Sequence, residues 1–384
     1  MFLFSLTSPS HLGSFILHMR IQNWGTFATI VGYHIVLFTL LPFIVSDFNF
    51  ATFIIYFATF VLSGFAITAA YHRLFAHRTY DANPFFEWFW LITSMLSGQM
   101  SALSWSNDHR IHHSHVDTDK DPYNINRGFW FAHVGWLFVR KSIPINERIV
   151  GDLLKNKRVM FQHNHYGKLF LLVNGVVFAL GCLFMSPLAS FVGCVLLRIF
   201  TIHHCTWFIN SLAHTWGSRT YSKEQTAADN ALLALLTFGE GYHNYHHAIA
   251  NDYRNGIRWY HFDPTKWLIW TSSKIGLVKN LRWVNNIRIQ QTLVKNDKQL
   301  LLERIRDELD DGAQEVRNKL EEMSKQFEGK AAELSKAYRE LKVATEERRQ
   351  ILLLEIKELR KELQAAWKNW VSLTELTEKQ YALT

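Results

Sequence analysis

Apolar residues form long unbroken runs over the first 210 positions and a spaced stripe after position 300. Trp24–Val45 is about 22 residues without a charge, and Asn49–Tyr71 is a second such run. At ~1.5 Å per residue, either can cross a hydrocarbon core of ~30 Å. Only Ser46–Phe48 separates them, so they predict a helical hairpin. Lys168–Met185 and Leu188–Ile209 repeat the arrangement, with Ser186-Pro187 at the turn, where proline suits the backbone. Phe85–Leu103 is apolar but interrupted by Glu87 and Gln99. It predicts a re-entrant or interface-lying helix. The intervening stretches 104–167 and 210–289 are polar and predict extramembrane blocks.

The stripe begins at Leu302 and continues through Ile305, Leu309, Ala313, Val316, Leu320, Met323, Phe327, Ala331, Leu334, Tyr338 and Leu341. The spacing is near the ~3.5 residues of a coiled-coil seam. It resumes at Leu352, Ile356, Leu359, Leu363, Ala366 and Trp370. The expected fold is an all-α membrane protein with four transmembrane helices in two hairpins, a histidine-rich cap and a coiled-coil-like extension. The expected divisions are an N-terminal segment 1–23, a membrane domain 24–289 and the extension 290–384, read as a solvated oligomerisation helix or helical hairpin.

Charge orients this picture. The last 95 residues hold 18 Lys+Arg against 19 Asp+Glu, so the net charge of +8 comes from the apolar part. Basic residues flanking apolar spans predict a cytosolic side for both polar blocks and both termini. No compact basic patch of a nucleic-acid binder is present, so the partner that composition points to is the lipid bilayer. The 15% aromatic content suits a membrane interface. Cys182, Cys194 and Cys205 lie in or beside apolar runs and form no CxxC, which argues against a disulfide framework or a thiolate metal site.

Nine histidines cluster where apolar stretches end: His72 and His77 in HRLFAH, His109, His112 and His113 in HRIHH, His214 in NSLAH, and His243, His246 and His247 in HNYHH. The two HxxHH runs place i, i+3 and i+4 on one helix face. Nine imidazoles exceed the four ligands of one structural zinc and suit two metals with four or five ligands each. An all-nitrogen set points to iron, zinc or copper rather than an iron–sulfur cluster. Two irons can bind dioxygen and take hydrogen from an unactivated C–H bond, which zinc cannot do.

HRLFAH, DHRIHH, NSLAH and EGYHNYHH, with HRTYDA, DTDKDPYN and RGFWFAHVGWLFVRK, resemble the membrane fatty acyl desaturases of the acyl-CoA Δ9 (stearoyl-CoA) type, over roughly Trp24 to Trp283. The resemblance implies a di-iron (Fe2+/Fe3+) centre that uses O2 and two electrons to insert a cis double bond into a saturated acyl chain. The nine histidines correspond to that family's ligands, and Asn210 to an asparagine reaching one metal through water. Gln99, Trp105, Thr206 and Trp207 correspond to residues lining a bend in the substrate tunnel. Phe60 and Gly64, one turn apart, would set chain length. Asn23, Asp108, Arg140 and Lys141 correspond to positions that contact coenzyme A, while Asn107 stands where those enzymes carry arginine. A carrier-protein thioester or lipid-bound chain therefore stays open as substrate. No HPGG-type haem motif occurs, so a separate donor is expected, a cytochrome b5-like protein or a ferredoxin. The membrane is expected to be the endoplasmic reticulum or a bacterial inner membrane. Two other readings fit the residues: a di-iron hydroxylase of lipids or alkanes, and a non-catalytic scaffold acting through the extension. His203 and His204, inside the fourth run, are expected to be structural.

Overall fold

The structure, a computed structural model, describes residues 20–139, 144–308 and 310–381. It is built mostly of helices. The strand pair Asp81–Ala82 and Val278–Lys279 is antiparallel and only two residues long.

Helix α1 covers Trp24–Leu40 and runs on as a 3₁₀ stretch to Asp47. Its open end is closed by Asn23, whose Oδ1 accepts from the Thr26 N–H at 3.1 Å, satisfying a donor that a helix start leaves unpaired. Helix α2, Phe50–Phe65, starts on a capping box of Asn49 and Thr52. It does not stop at Phe65, because π-helical turns carry it through Ala66–Ala76. The run 85–103 is two helices rather than one. Helix α3 spans Pro84–Thr93, a 3₁₀ turn covers Ser94–Ser97, and the chain reverses through the left-handed residues Gly98 and Met100 (φ 66° and 67°). Helix α4, Ala102–His115, then starts from the Ser101 side chain.

Helix α5, Lys157–Asn164, meets helix α6, Tyr166–Cys182, at 79°. A short helix at Pro187 and π-helical turns at Ser190–Leu196 lead into helix α7, Leu197–Ser211. Among the described residues, three helical stretches are long and apolar enough to cross a membrane: Trp24–Asp47, Phe50–Ala76 and Pro187–His214. The bent α5–α6 pair makes a fourth only when taken as one span. The run expected at 168–185 is thus shorter on its own than its three counterparts, because the chain turns sharply at His165.

Two buried polar side chains show how groups inside this apolar body find partners within the protein, as a hydrocarbon surrounding demands. Arg198 on α7 is fully buried. Its guanidinium donates to the carbonyls of Leu96 at 2.7 Å and Cys194 at 3.1 Å, and to Asn174 Oδ1 on α6. It therefore ties α6, α7 and the Ser94–Ser97 turn together. Gln162 does the same elsewhere, donating to Tyr71 Oη at 2.8 Å and to the Leu91 carbonyl at 3.0 Å.

Beyond α7 the polar block includes a six-residue helix at Ala231–Leu236 and two further short helices, α8 at His243–Ala248 and α9 at Pro264–Lys274. The chain divides into two compact units, Met1–Arg219 with Gln225–Trp283, and Thr220–Glu224 with Val284–Thr384. The second unit holds helices α10, Asn286–Arg304, α11, Asp311–Leu341, and α12, Glu346–Gln380. The apolar stripe is its core. Leu320, Phe327 and Ala331 of α11 are fully buried against Ile356, Leu363 and Trp370 of α12 and Val294 and Leu301 of α10. The extension is therefore three helices, with α10 supplying a third apolar side that the spacing after Leu302 did not reveal.

Phe327→Ala would leave a cavity in that core, at a cost of about 3–5 kcal/mol. Amide exchange in α11 and α12 is expected to accelerate clearly. Unchanged protection there would show that the stripe does not hold the unit together.

Candidate metal centre

The π-helical end of α2 explains the odd spacing of HRLFAH. The His77 N–H bonds the His72 carbonyl at 3.0 Å, the i→i+5 pattern of a π-helix. Residues five apart thereby come to one side. Among the described residues, the ring nitrogens converge in two groups, each with its ligand atoms within 4.8 Å of one another: His72, His77, His109, His113 and His246, and His112, His214, His243 and His247.

The HxxHH runs are not spent on one ion each. On α4, His109 and His113 join the five-histidine group and His112 joins the other. On α8 the division is reversed, with His243 and His247 in the four-histidine group and His246 in the five. At 3.6 residues per turn, i and i+4 lie roughly 40° apart and i+3 roughly 60° the other way. Each helix therefore stands between the two groups and serves both.

Carboxylates behind the rings decide the tautomers. His72 Nδ1 lies 2.7 Å from Glu240 Oε2, and His112 Nδ1 lies 2.9 Å from Asp121 Oδ1. His214 Nδ1 reaches Thr226 Oγ1 at 2.7 Å, which in turn donates to Asp117 Oδ1 at 2.6 Å. A carboxylate only accepts, so in each case Nδ1 carries the hydrogen and Nε2 turns a lone pair inward. His109 Nδ1 faces Tyr123 Oη at 3.2 Å. Glu240 is itself anchored by Arg73, fully buried, whose guanidinium pairs with Glu240 at 2.8 Å and with Asp263 at 3.0 Å. Burial alone would raise the Glu240 carboxyl, but Arg73 and His72 hold it below its usual value. Burial, reinforced by the neighbouring rings, lowers His77, His109, His113, His243, His246 and His247 well below the ordinary imidazole value. Neutral rings are what a metal requires.

Spacing supports the same conclusion. Nε2–Nε2 distances are 3.0 Å for His72–His246, 2.8 Å for His77–His109 and 3.0 Å for His113–His246. In the other group they are 3.3 Å for His112–His247, 3.1 Å for His214–His243 and 3.0 Å for His243–His247. Two imidazole nitrogens at about 2.1 Å from one ion and at right angles would be about 3.0 Å apart. The residues fit two metal ions, one with five and one with four protein nitrogens.

A family model for fatty acid desaturases matches residues 18–275. The chain belongs to the fatty acid desaturase family. It is 41% identical over 262 residues to the "Probable acyl-CoA desaturase" of Schizosaccharomyces pombe, covering 67% of this chain and 54% of that protein. To acyl-CoA desaturase 1 of Saccharomyces cerevisiae it is 36% identical over 271 residues, 70% of this chain and 52% of that one. To the sn-1 stearoyl-lipid 9-desaturase of Anabaena variabilis it is 32% identical over 266 residues, 68% of this chain and 94% of the relative. The chain thus spans about half the length of the two fungal relatives.

In this member of the family a cavity of about 1270 Å³ runs up to the histidines, with His72, His109 and His243 in its wall. Asn23, Gly64, Gln99, Trp105, Asp108, Thr206, Trp207 and Asn210 also line it. Gln99 joins its two sides, accepting from Trp105 Nε1 at 3.3 Å and donating to Thr206 Oγ1 at 2.8 Å. Phe60 does not line the cavity. It stands behind Phe238, with ring centroids 5.6 Å apart. Phe238 takes the space at Gly64, where an added Cβ would come within 2.1 Å of its ring. Arg140 and Lys141 fall outside the described residues. His203 and His204 lie outside both groups. His203 Nδ1 pairs with Tyr33 Oη at 2.9 Å, and His204 bridges His34 at 3.1 Å and His133 at 3.0 Å.

Sequence reasoning missed Glu240, Asp121, Asp117, Thr226, Arg73 and Phe238. Glu240, Asp117, Asp121 and Arg73 did sit inside quoted motifs, EGYHNYHH, DTDKDPYN and HRLFAH. Glu240→Gln would break a buried pair, a change costing about 3–5 kcal/mol, and leave the His72 tautomer unfixed. Purified protein is expected to unfold at a lower temperature and to carry less metal by elemental analysis. Full metal content at wild-type stability would exclude this role.

Proposed function

We propose that the protein is a di-iron, O2-dependent desaturase that places a cis double bond, at Δ9, in a saturated fatty acyl thioester, with acyl-CoA the favoured carrier. The observation that carries this is a cavity of about 1270 Å³ whose wall includes histidines of both groups. The names of its relatives point to the same chemistry. The balance is one –CH2–CH2– unit, O2, two electrons and two protons giving –CH=CH– and two waters. Bound iron supplies the oxidising power toward the C–H bonds. The chain's own residues do the rest. The nine histidines hold the ions, and Asn210 contributes to one of them through water. Glu240, Asp121 and the Thr226–Asp117 pair fix ring tautomers. Apolar walls exclude bulk water, and the Trp105–Gln99–Thr206 chain fixes the cavity's shape beside the reacting carbons. Asn23, Asp108, Arg140 and Lys141 would meet the thioester's headgroup, while Phe60 and Gly64 stand on the side that Phe238 closes.

Four spans, counting the α5–α6 pair as one, would put both histidine blocks and both termini on the cytosolic side, favoured by the basic excess of the apolar part. That face would receive electrons from a separate acidic donor, a cytochrome b5-like protein or a ferredoxin. Residues 290–384 would act as an appendage that can mediate oligomerisation.

Gas chromatography of lipids from aerobic cells expressing the chain is expected to reveal a new cis-Δ9 monounsaturated chain, lost in His243→Ala. A hydroxylated product would replace this reading with the hydroxylase. No new product from iron-loaded protein supplied with donor, across acyl-CoA, acyl-carrier and lipid-bound substrates, would remove it.

A further inference from the structure

The cavity continues past Gln99 and Thr206, away from the histidines, into a groove between α6 and the helix that leads into α7. One wall is a stripe of α6, Leu171, Gly175 and Phe178, and the other is Leu188, Phe191 and Val195. Spacings of three and four keep each set on one helix face. The outer members of both stripes face away from the protein. Leu171 is 71% exposed, Leu188 and Phe191 are each 38% exposed, and Gly175 is exposed as well. On the opposite side, Phe238 packed on Gly64 closes the way toward Phe60. The same space that touches His72 and His243 is therefore shut toward α2 and open toward lipid between α6 and α7.

An acyl tail is the occupant this groove fits. It is continuous with the cavity at the histidines, its walls are apolar, and it opens where membrane hydrocarbon would lie. A closed cavity rejects each surplus methylene roughly 10-fold or more. A tail that emerges among lipid chains meets surroundings as apolar as the groove itself, so added methylenes carry no such penalty. We propose that the far half of the acyl chain lies in this lipid-open groove, and that the protein consequently takes very-long-chain saturated acyl thioesters as readily as palmitoyl and stearoyl ones. This rests on the desaturase reading and adds the substrate class.

The test is a chain-length series, palmitoyl, stearoyl, arachidoyl and lignoceroyl thioesters, given to membranes of cells expressing the full chain, with desaturated products quantified by gas chromatography. The lignoceroyl-to-palmitoyl rate ratio is expected to stay within about 3-fold of unity, against the steep drop of a closed end. Gly175→Phe fills the groove from a position where an added Cβ meets nothing within 4 Å. It is expected to lower that ratio at least about 10-fold. Leu172→Phe, on the same helix but outside the cavity wall and 63% exposed, is expected to keep the wild-type ratio. A wild-type chain that desaturates palmitoyl but fails sharply beyond stearoyl overturns the inference and leaves the desaturase reading standing. An unchanged ratio in Gly175→Phe also overturns it. Absence of product at every length defeats the desaturase reading, and this inference with it.

Discussion

Lone pairs turned toward one another are the constraint on which the cap of this molecule depends. Carboxylates behind His72 and His112, and a hydroxyl relay behind His214, hold the hydrogen on Nδ1 and leave Nε2 bare. Bare nitrogens about 3 Å apart repel unless a cation lies between them. The protein gains nothing from such crowding by itself. The buried Arg73–Glu240–Asp263 cluster, the Asp263 cap of α9 and the π-turns of α2 are the scaffold that keeps the rings in place. Removing positive charge from the centre and removing Arg73 from behind it would strain the same assembly from opposite sides.

The apolar body solves a different problem by the same rule of satisfaction. Among the described residues Arg198 has no carboxylate partner, yet each side of its guanidinium meets an oxygen. That geometry needs three elements to meet at one point, so the arginine works as a pin for helices that lipid would otherwise not push together.

Much of this was legible in the chain. Long uncharged runs announce spans because transfer of side chains to hydrocarbon is nearly additive along a helix. The nine histidines announce a metal site because residue type and number suffice for that. Backbone register was not legible. HRLFAH looked loosely spaced until the π-turns brought residues five apart together, and those turns depend on packing around Ala66–Ala76. Nor could spacing reveal that i+3 and i+4 of HRIHH join different histidine groups, since helical angle alone does not say where the other rings converge. Phe60 shows the limit of transferring roles by position. A neighbour distant in sequence, Phe238, occupies the place where Phe60 would have met the cavity.

The exchange of ligands between α4 and α8 has a consequence for assembly. Each helix lends two rings to one group and one ring to the other, in opposite proportion. Neither group can be completed by a single helix, and neither helix is correctly seated until both groups close. Tilting or unwinding either helix would therefore disturb both groups at once, and a change on one side of the centre cannot leave the other side untouched.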